Sequence, residues 1–315
     1  MSKKPLVTVL VTTKDKAEFI GKCLDCVNAL NYSNKEVIVV DSLSSDSTCE
    51  IASEKNARVI RLSHASIPLA YNTGMREAKG EYVFVVNGDS LVEKGFLERA
   101  MDAFENDSTL GGVIGLRKQY STRTLFSKLY EARFRRLDKT GYIDTLGGNF
   151  IVKKEAYERA VGSLDERLVA QEEGFIAGRL RAKGYRILRL NGYSMIHLEE
   201  KGSIWEYVKK HAWYAKGKAF HFLHSKKWDA DFGLAVALYL VLALFVTGAL
   251  GGFGVLSVLG VLGILPFAVA LISARQASLN VGSSIQVGLV EALSTLVRAA
   301  VLPVYVTRSV LSGGK

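Results

Sequence analysis

The sequence predicts an α/β domain, a mostly parallel sheet flanked by helices, followed by a C-terminal transmembrane helical hairpin. Three observations lead there. Strand-like and helix-like patterns alternate through the first hundred residues, which suits parallel strands joined by right-handed crossovers. Tyr82, Val83, Phe84, Val85 and Val86 form an unbroken β-branched and aromatic run, as a central strand covered on both faces requires. From residue 232 onward the composition turns apolar, and neither 232–253 nor 254–274 contains a charged residue.

The elements follow in order. Residues 7–11 read as a strand and 15–30 as a helix, with Asp15 and Glu18 spaced as a capping box. A second strand covers 36–40 and ends at Asp41. The run Asp41-Ser42-Leu43-Ser44-Ser45-Asp46-Ser47-Thr48 is turn and cap chemistry before a short helix. A third strand (58–62), a helix (69–78) and the strand 82–86 complete the alternation. A helix at 95–106 and a strand at 112–116 follow. Farther on, 147–152 reads as a strand, 172–183 as a helix and 185–190 as an edge strand, with His197 after another short run. No G-x-G-x-x-G follows the first strand, so a dinucleotide-binding reading loses its main support.

The strand 82–86 runs directly into Asn87-Gly88-Asp89-Ser90. In open α/β sheets ligands bind outside the carboxyl ends of the strands. A carboxylate there either caps the next helix or holds a divalent metal and, through it, a substrate phosphate.

The chain has 315 residues, a net charge of +10 and a pI near 9.4. Each charge-free run is long enough for a helix crossing a hydrocarbon core of about 30 Å, which takes about 20 apolar residues. Gly248, Gly251, Gly252 and Gly254 sit where the two meet, as a tight hairpin needs. Lys226 and Lys227 precede the first span and Arg275 follows the second, so both ends of the hairpin face the cytoplasm. Met1-Ser2-Lys3-Lys4-Pro5 leads into a core strand and does not resemble a signal peptide. The expectation is a multi-pass cell-membrane protein with a cytoplasmic domain at 1–225 and a membrane region at 226–315. Residues 285–311 read as an interfacial helix or a third span.

The basic excess is concentrated in segments suited to a membrane surface. Residues 117–139 carry eight Lys or Arg against Glu131 and Asp138, with apolar residues at helical spacing. This is an interfacial amphipathic segment or a solvated helix packed on the sheet. Residues 203–224 place Trp205, Tyr207, Trp213, Tyr214 and Phe220 among lysines, a juxtamembrane profile. Anionic lipid therefore explains the charge better than nucleic acid, and no nucleic-acid partner is expected. Cys23, Cys26 and Cys49 read as packing cysteines of a reducing compartment.

The ordered series of local patterns resembles family 2 glycosyltransferases of the GT-A (Rossmann-like) fold over roughly residues 5–200. The resemblance rests on 7–20, Ile38-Val39-Val40-Asp41 with its Ser/Asp/Thr turn, Asn72-Thr73-Gly74, and Ala78-Lys79-Gly80-Glu81-Tyr82 with Asn87-Gly88-Asp89. It continues through Gly162-Ser163-Leu164-Asp165-Glu166, Glu172-Glu173, Arg179-Leu180 and Gly184-Tyr185-Arg186-Ile187. It implies inverting sugar transfer from a nucleotide sugar, most readily a UDP- or GDP-sugar, with Mg²⁺ or Mn²⁺. Carried over by position, Thr12, Asp15, Asp41, Asn72 and Asn87 would line the nucleotide-sugar pocket. Asp89 would be the metal ligand of a D-x-D-like motif, with His197 as a further metal or diphosphate contact. Glu173 takes the catalytic-base position, and Glu172 would share or exchange that role.

The sequence departs from the family pattern at three of these places. The first acid of the D-x-D-like motif is Asn87, which removes one charge from the metal site. Ser42 stands where a second Asp is frequent, and Tyr71 where an Arg often precedes Asn72. The membrane hairpin points to a lipid-linked acceptor: a polyprenyl phosphate, a polyprenyl-linked glycan or a glycolipid. The alternative is a non-catalytic, membrane-anchored nucleotide-sugar-binding scaffold.

Overall fold

A computed structural model describes residues 4–120, 138–199 and 204–225, together with positions 301 and 304. The chain divides into two compact units, Met1–Glu200 and Lys201–Lys315. The first opens with the expected alternation: β1 (Val7–Thr13), α1 (Ala17–Asn28), β2 (Lys35–Asp41), α2 (Thr48–Glu54), β3 (Arg58–Arg61), α3 (Ile67–Glu77) and β4 (Tyr82–Asn87). Then come β5 (Ser90–Val92), α4 (Phe96–Asn106), β6 (Leu110–Gln119), β7 (Gly141–Ile143), β8 (Phe150–Lys153), α5 (Lys154–Ala160), α6 (Glu172–Ala182) and β9 (Arg186–His197). In the second unit α7 spans Ile204–Ser225.

The strands form one sheet in the order β3-β2-β1-β4-β8-β6-β9-β5, with β7 paired to β9. Residues Val83 to Val86 of β4 are fully buried. Their side chains alternate between two apolar layers: Phe84 and Val86 join α1 and α4, while Val83 and Val85 join α3, α5 and α6. A strand sealed on both faces cannot afford a polar side chain on either, and that explains the unbroken run. Each fully buried Val or Phe contributes about 1.5–3 kcal/mol over exposure.

The sheet is mixed rather than mostly parallel. Strands β1 to β4 pair in parallel, and β6 is parallel to β9. However, β8 runs antiparallel to both β4 and β6, and β5 and β7 run antiparallel to β9. Apolar patterning reveals that a strand exists, not which way it points in the sheet.

The expected edge strand at 185–190 is corrected as well. It belongs to the long β9, which lies between β6 and β5. Register shifts along the β6–β9 pair let one strand bend from partner to partner, so its burial alternates weakly and mimics an edge.

The cysteines are free thiols. Burial pushes the Cys23 thiol up to about 12 and Cys49 up to about 11, far from reactive thiolates.

Among the described residues no helix is long and apolar enough to cross a membrane. The expected spans at 232–253 and 254–274 lie outside the described residues. So do most of 117–139 and, apart from two helical positions, 285–311.

The α3-to-β4 connection depends on a close backbone approach. A Cβ on Gly80 would lie 2.5 Å from the Thr8 amide nitrogen and 2.8 Å from the Tyr82 carbonyl oxygen. Backbone atoms cannot yield as a side chain can. Gly80→Ala is expected to cost at least about 1–3 kcal/mol. Denaturant unfolding of the purified protein checks this, and an unchanged midpoint would refute it.

Candidate metal and nucleotide site

The carboxyl ends of β1, β2 and β4 form the floor. Register places Thr12 between Val40 and Asn87, and Thr13 opposite Asp41. Beyond the strands the Thr13 carbonyl accepts from Ser42 N–H at 2.8 Å, and the Thr12 carbonyl from Gly88 N–H at 3.0 Å. A Cβ on Gly88 would lie 2.6 Å from Thr13 Oγ1, so glycine permits this tight departure toward Asp89. The Asn87 amide donates to Asn149 Oδ1 at 3.1 Å, joining β4 to the loop before β8.

The loops after β1 and β2 are knitted together by acids and hydroxyls. Asp41 is fully buried, and its carboxylate accepts from the Ser44 amide at 2.9 Å and from the Ser44 hydroxyl. Ser44 Oγ in turn accepts from Asp15 N–H at 2.8 Å. Asp15 takes a left-handed conformation (φ 49°), and its Oδ1 accepts from Ser45 N–H at 2.8 Å and the Ser45 hydroxyl at 3.1 Å. The Asp15–Glu18 capping box does not form, because Asp15 is turned out of the helix and holds Ser45 instead. The first amides of α1 are satisfied from the next loop: Lys16 N–H by Thr48 Oγ1 at 2.8 Å, and Ala17 N–H by Asp46 Oδ2 at 3.0 Å.

Asp89 meets His197 through strand pairing. In the β5–β9 ladder Ser90 faces His197, and the Asp89 carbonyl accepts from Leu198 N–H at 2.9 Å. His197 Nε2 consequently lies 3.4 Å from Asp89 Oδ1. His197 Nδ1 is 3.0 Å from the Glu199 carbonyl oxygen, which only accepts, so Nδ1 carries a proton. In the neutral ring Nε2 is then the lone-pair nitrogen, the tautomer a metal ligand needs.

One ligand atom each from Asp89, His197 and Glu199 lie within 4.8 Å of one another. Two carboxylates and an imidazole are a donor set that suits a divalent cation. The buried Asp89 Oδ1 accepts no hydrogen bond among the described residues, an acceptor that a cation would satisfy. Glu199 was not found from the sequence, where it is one acid among several beyond the last strand. Lys16 was also missed: its Nζ lies 3.5 Å from Asp89 Oδ2 and 3.2 Å from Glu199 Oε1.

The two acids opening α6 occupy different environments. Gln171 adopts a left-handed φ of 71° and turns the chain into the helix. Glu172 points inward and is 2% exposed, whereas Glu173 is half-buried and its Oε1 accepts from the Tyr71 hydroxyl at 3.4 Å. Burial and then the Glu173 charge push the Tyr71 hydroxyl well above its ordinary range, so it stays a donor. Asn72 engages the Leu164 backbone with both ends of its amide, at 2.9 and 2.8 Å, and fastens α3 to the loop before α6.

Residues 8–160 match the glycosyl transferase family 2 profile. Over this stretch the chain is similar to glycosyl transferase family 2.

Among curated proteins the chain is 25% identical over 194 residues to poly-beta-1,6-N-acetyl-D-glucosamine synthase of Staphylococcus aureus (strain COL), covering 58% of this chain but 47% of that protein. It therefore spans about half the length of that relative. It is also 25% identical over 231 residues to the uncharacterized glycosyltransferase EpsJ of Bacillus subtilis (strain 168), covering 65% of this chain and 67% of that one. The fold is shared with the mannosyltransferase PcManGT from Pyrobaculum calidifontis, solved with GDP-Man and Mn²⁺. That match has a TM-score of 0.62 at 21% identity over 92% of this chain and 86% of that one. TarS 1–349 of S. aureus, solved with UDP-GlcNAc, aligns with a TM-score of 0.52 at 16% identity, covering 98% and 92%.

Other buried polar atoms without a hydrogen-bond partner among the described residues include Thr13 Oγ1, Ser90 Oγ, Asn149 Nδ2 and Glu172 Oε1. Buried polar groups are normally satisfied.

Burial, followed by the charge of Glu173, raises the Glu172 carboxyl from 4.5 to about 8. Glu172 thus holds its proton at neutral pH. The folded state binds a proton that the unfolded chain releases near pH 4.5, so this group makes stability fall as pH rises from there to about 8. At about 1.4 kcal/mol per unit the full loss is on the order of a few kcal/mol. Glu172→Gln is expected to flatten that fall in a melting series from about pH 5 to 8.5. Parallel curves for wild type and variant would rule it out.

Proposed function

We propose that the protein is a membrane-associated, inverting glycosyltransferase that moves a sugar from a UDP- or GDP-sugar to a lipid-linked acceptor. The observation that carries this reading is the Asp89–His197–Glu199 cluster at the carboxyl ends of the parallel strands, beside Asp15, Thr12 and Asp41. The nucleotide sugars and Mn²⁺ held by proteins of the same fold support it. The two charge-free runs at 232–253 and 254–274 support a lipid-linked acceptor and a multi-pass cell-membrane location with the domain in the cytoplasm.

Asp89, His197 and Glu199 would hold the divalent cation, which would supply Lewis-acid neutralisation of the departing nucleoside diphosphate. Asn87 supplies an amide in place of a carboxylate, so the residues carry less charge toward the cation. Asp41 and Asp15, held by Ser44 and Ser45, present ordered loops toward the nucleoside. Glu173, oriented by the Tyr71 hydroxyl, accepts the proton of an acceptor hydroxyl as it attacks the anomeric carbon. Glu172 stays protonated behind it.

A positioned general base is worth about 10²–10⁴-fold. Glu173→Gln is therefore expected to lower transfer to a hydroxyl acceptor at least about a hundredfold, with nucleotide binding near normal. Full activity toward a hydroxyl acceptor would sink the base assignment. A polyprenyl phosphate is already ionised, so a variant that transfers to it at the wild-type rate would identify that acceptor class. Asp89→Ala should abolish the Mn²⁺-dependent rise in melting temperature produced by the donor nucleotide, and persistence of that rise would reject Asp89 as a ligand.

A further inference from the structure

Lys16 is held at the cation cluster from two directions. Its amide donates to Thr48 Oγ1 at 2.8 Å, and its carbonyl accepts from Phe19 and Ile20 N–H, both at 2.9 Å, so the backbone is locked between the start of α2 and the first turn of α1. Its ammonium then reaches Asp89 Oδ2 at 3.5 Å and Glu199 Oε1 at 3.2 Å. These are the two carboxylates that, with His197, would ligate a divalent cation. The Asp89 side chain is 9% exposed and that of Lys16 22%, so the pair is only partly screened by water.

The charge balance makes this placement consequential. Among the described residues the carboxylates of the cluster are those of Asp89 and Glu199, and the Lys16 ammonium offsets the charge of one of them. A dication entering there must displace the ammonium from its carboxylates or accept a like charge about 4 Å away. Even with the screening of bulk water, that repulsion is on the order of tenfold in affinity. A diphosphate brings negative charge that can accept the displaced ammonium.

We propose that Lys16 is the resident counter-ion of the cation site. It competes with the divalent cation for Asp89 and Glu199, so that cation and nucleoside diphosphate bind as a coupled pair, the diphosphate taking up the released ammonium. This rests on the assignment of Asp89 as a cation ligand made above.

The test is Mn²⁺ binding to the full-length protein, read from the electron paramagnetic resonance of free Mn²⁺, with and without GDP or UDP. Lys16→Met should bind Mn²⁺ roughly tenfold more tightly than wild type without nucleotide. Because coupling is reciprocal, the factor by which the nucleoside diphosphate tightens Mn²⁺ should shrink correspondingly. Lys16→Arg, which keeps the charge, should retain weak binding and strong coupling. Equal or weaker Mn²⁺ affinity in Lys16→Met would overturn the proposal, as would a wild type whose Mn²⁺ affinity neither nucleotide improves. Asp89→Ala separates the two levels. If it keeps wild-type Mn²⁺ binding, the cation site itself is misassigned and the Lys16 proposal falls with it. If it abolishes binding while Lys16→Met changes nothing, the Lys16 proposal alone fails.

Discussion

The antiparallel pairing of β5 with β9 is the constraint on which the site depends. Three residues of β5 face the end of a strand more than a hundred positions later, and this ladder alone brings His197 to Asp89. The Leu198 amide on the Asp89 carbonyl extends the ladder by one bond and carries Glu199 to the same place. A shift of one residue in a pleated ladder would turn every side chain to the opposite face. The Asp89–His197–Glu199 cluster is therefore a product of register, and register in turn depends on β9 being held on its other side by β6.

The acids of the site divide by how their oxygens are used. Asp41, Asp15 and Asp46 accept from serine and threonine hydroxyls and from backbone amides, and they tie together the loops above β1 and β2. Asp89 and Glu199 face an imidazole and an ammonium, partners that a ligand can exchange. Glu173 accepts from a buried phenol, while its neighbour Glu172 is kept neutral by burial. Carboxylates are thereby set in different surroundings by the fold, not by their local sequence.

Much of the first hundred residues was legible because each βαβ unit is local. The run at β4, the Ser/Asp/Thr turn after Asp41 and the amphipathic spacing of α1 each report a nearby hydrogen-bonding or burial requirement. Legibility ended where the requirement became long-range. The Asp15–Glu18 pattern is a sound capping box in isolation, yet Ser44 and Ser45 from the next loop capture Asp15 first. The second half of β9 lacks a regular alternation because its partners change along its length, and the direction of β8 leaves no trace in its apolar content.

By itself the sequence determined the α/β class, the sealed central strand with Asp89 beyond its end, and the apolar character of residues 232–274. These are properties of composition and short-range periodicity, which burial and backbone hydrogen bonding enforce on each segment separately. Only the tertiary structure decided that His197 and Glu199 join Asp89, that Lys16 shares the same carboxylates, and that Glu172 is buried behind Glu173. Those relations arise from strand register and helix placement between segments far apart in the chain. No local pattern encodes them, because contact between two distant side chains depends on every intervening element being in place.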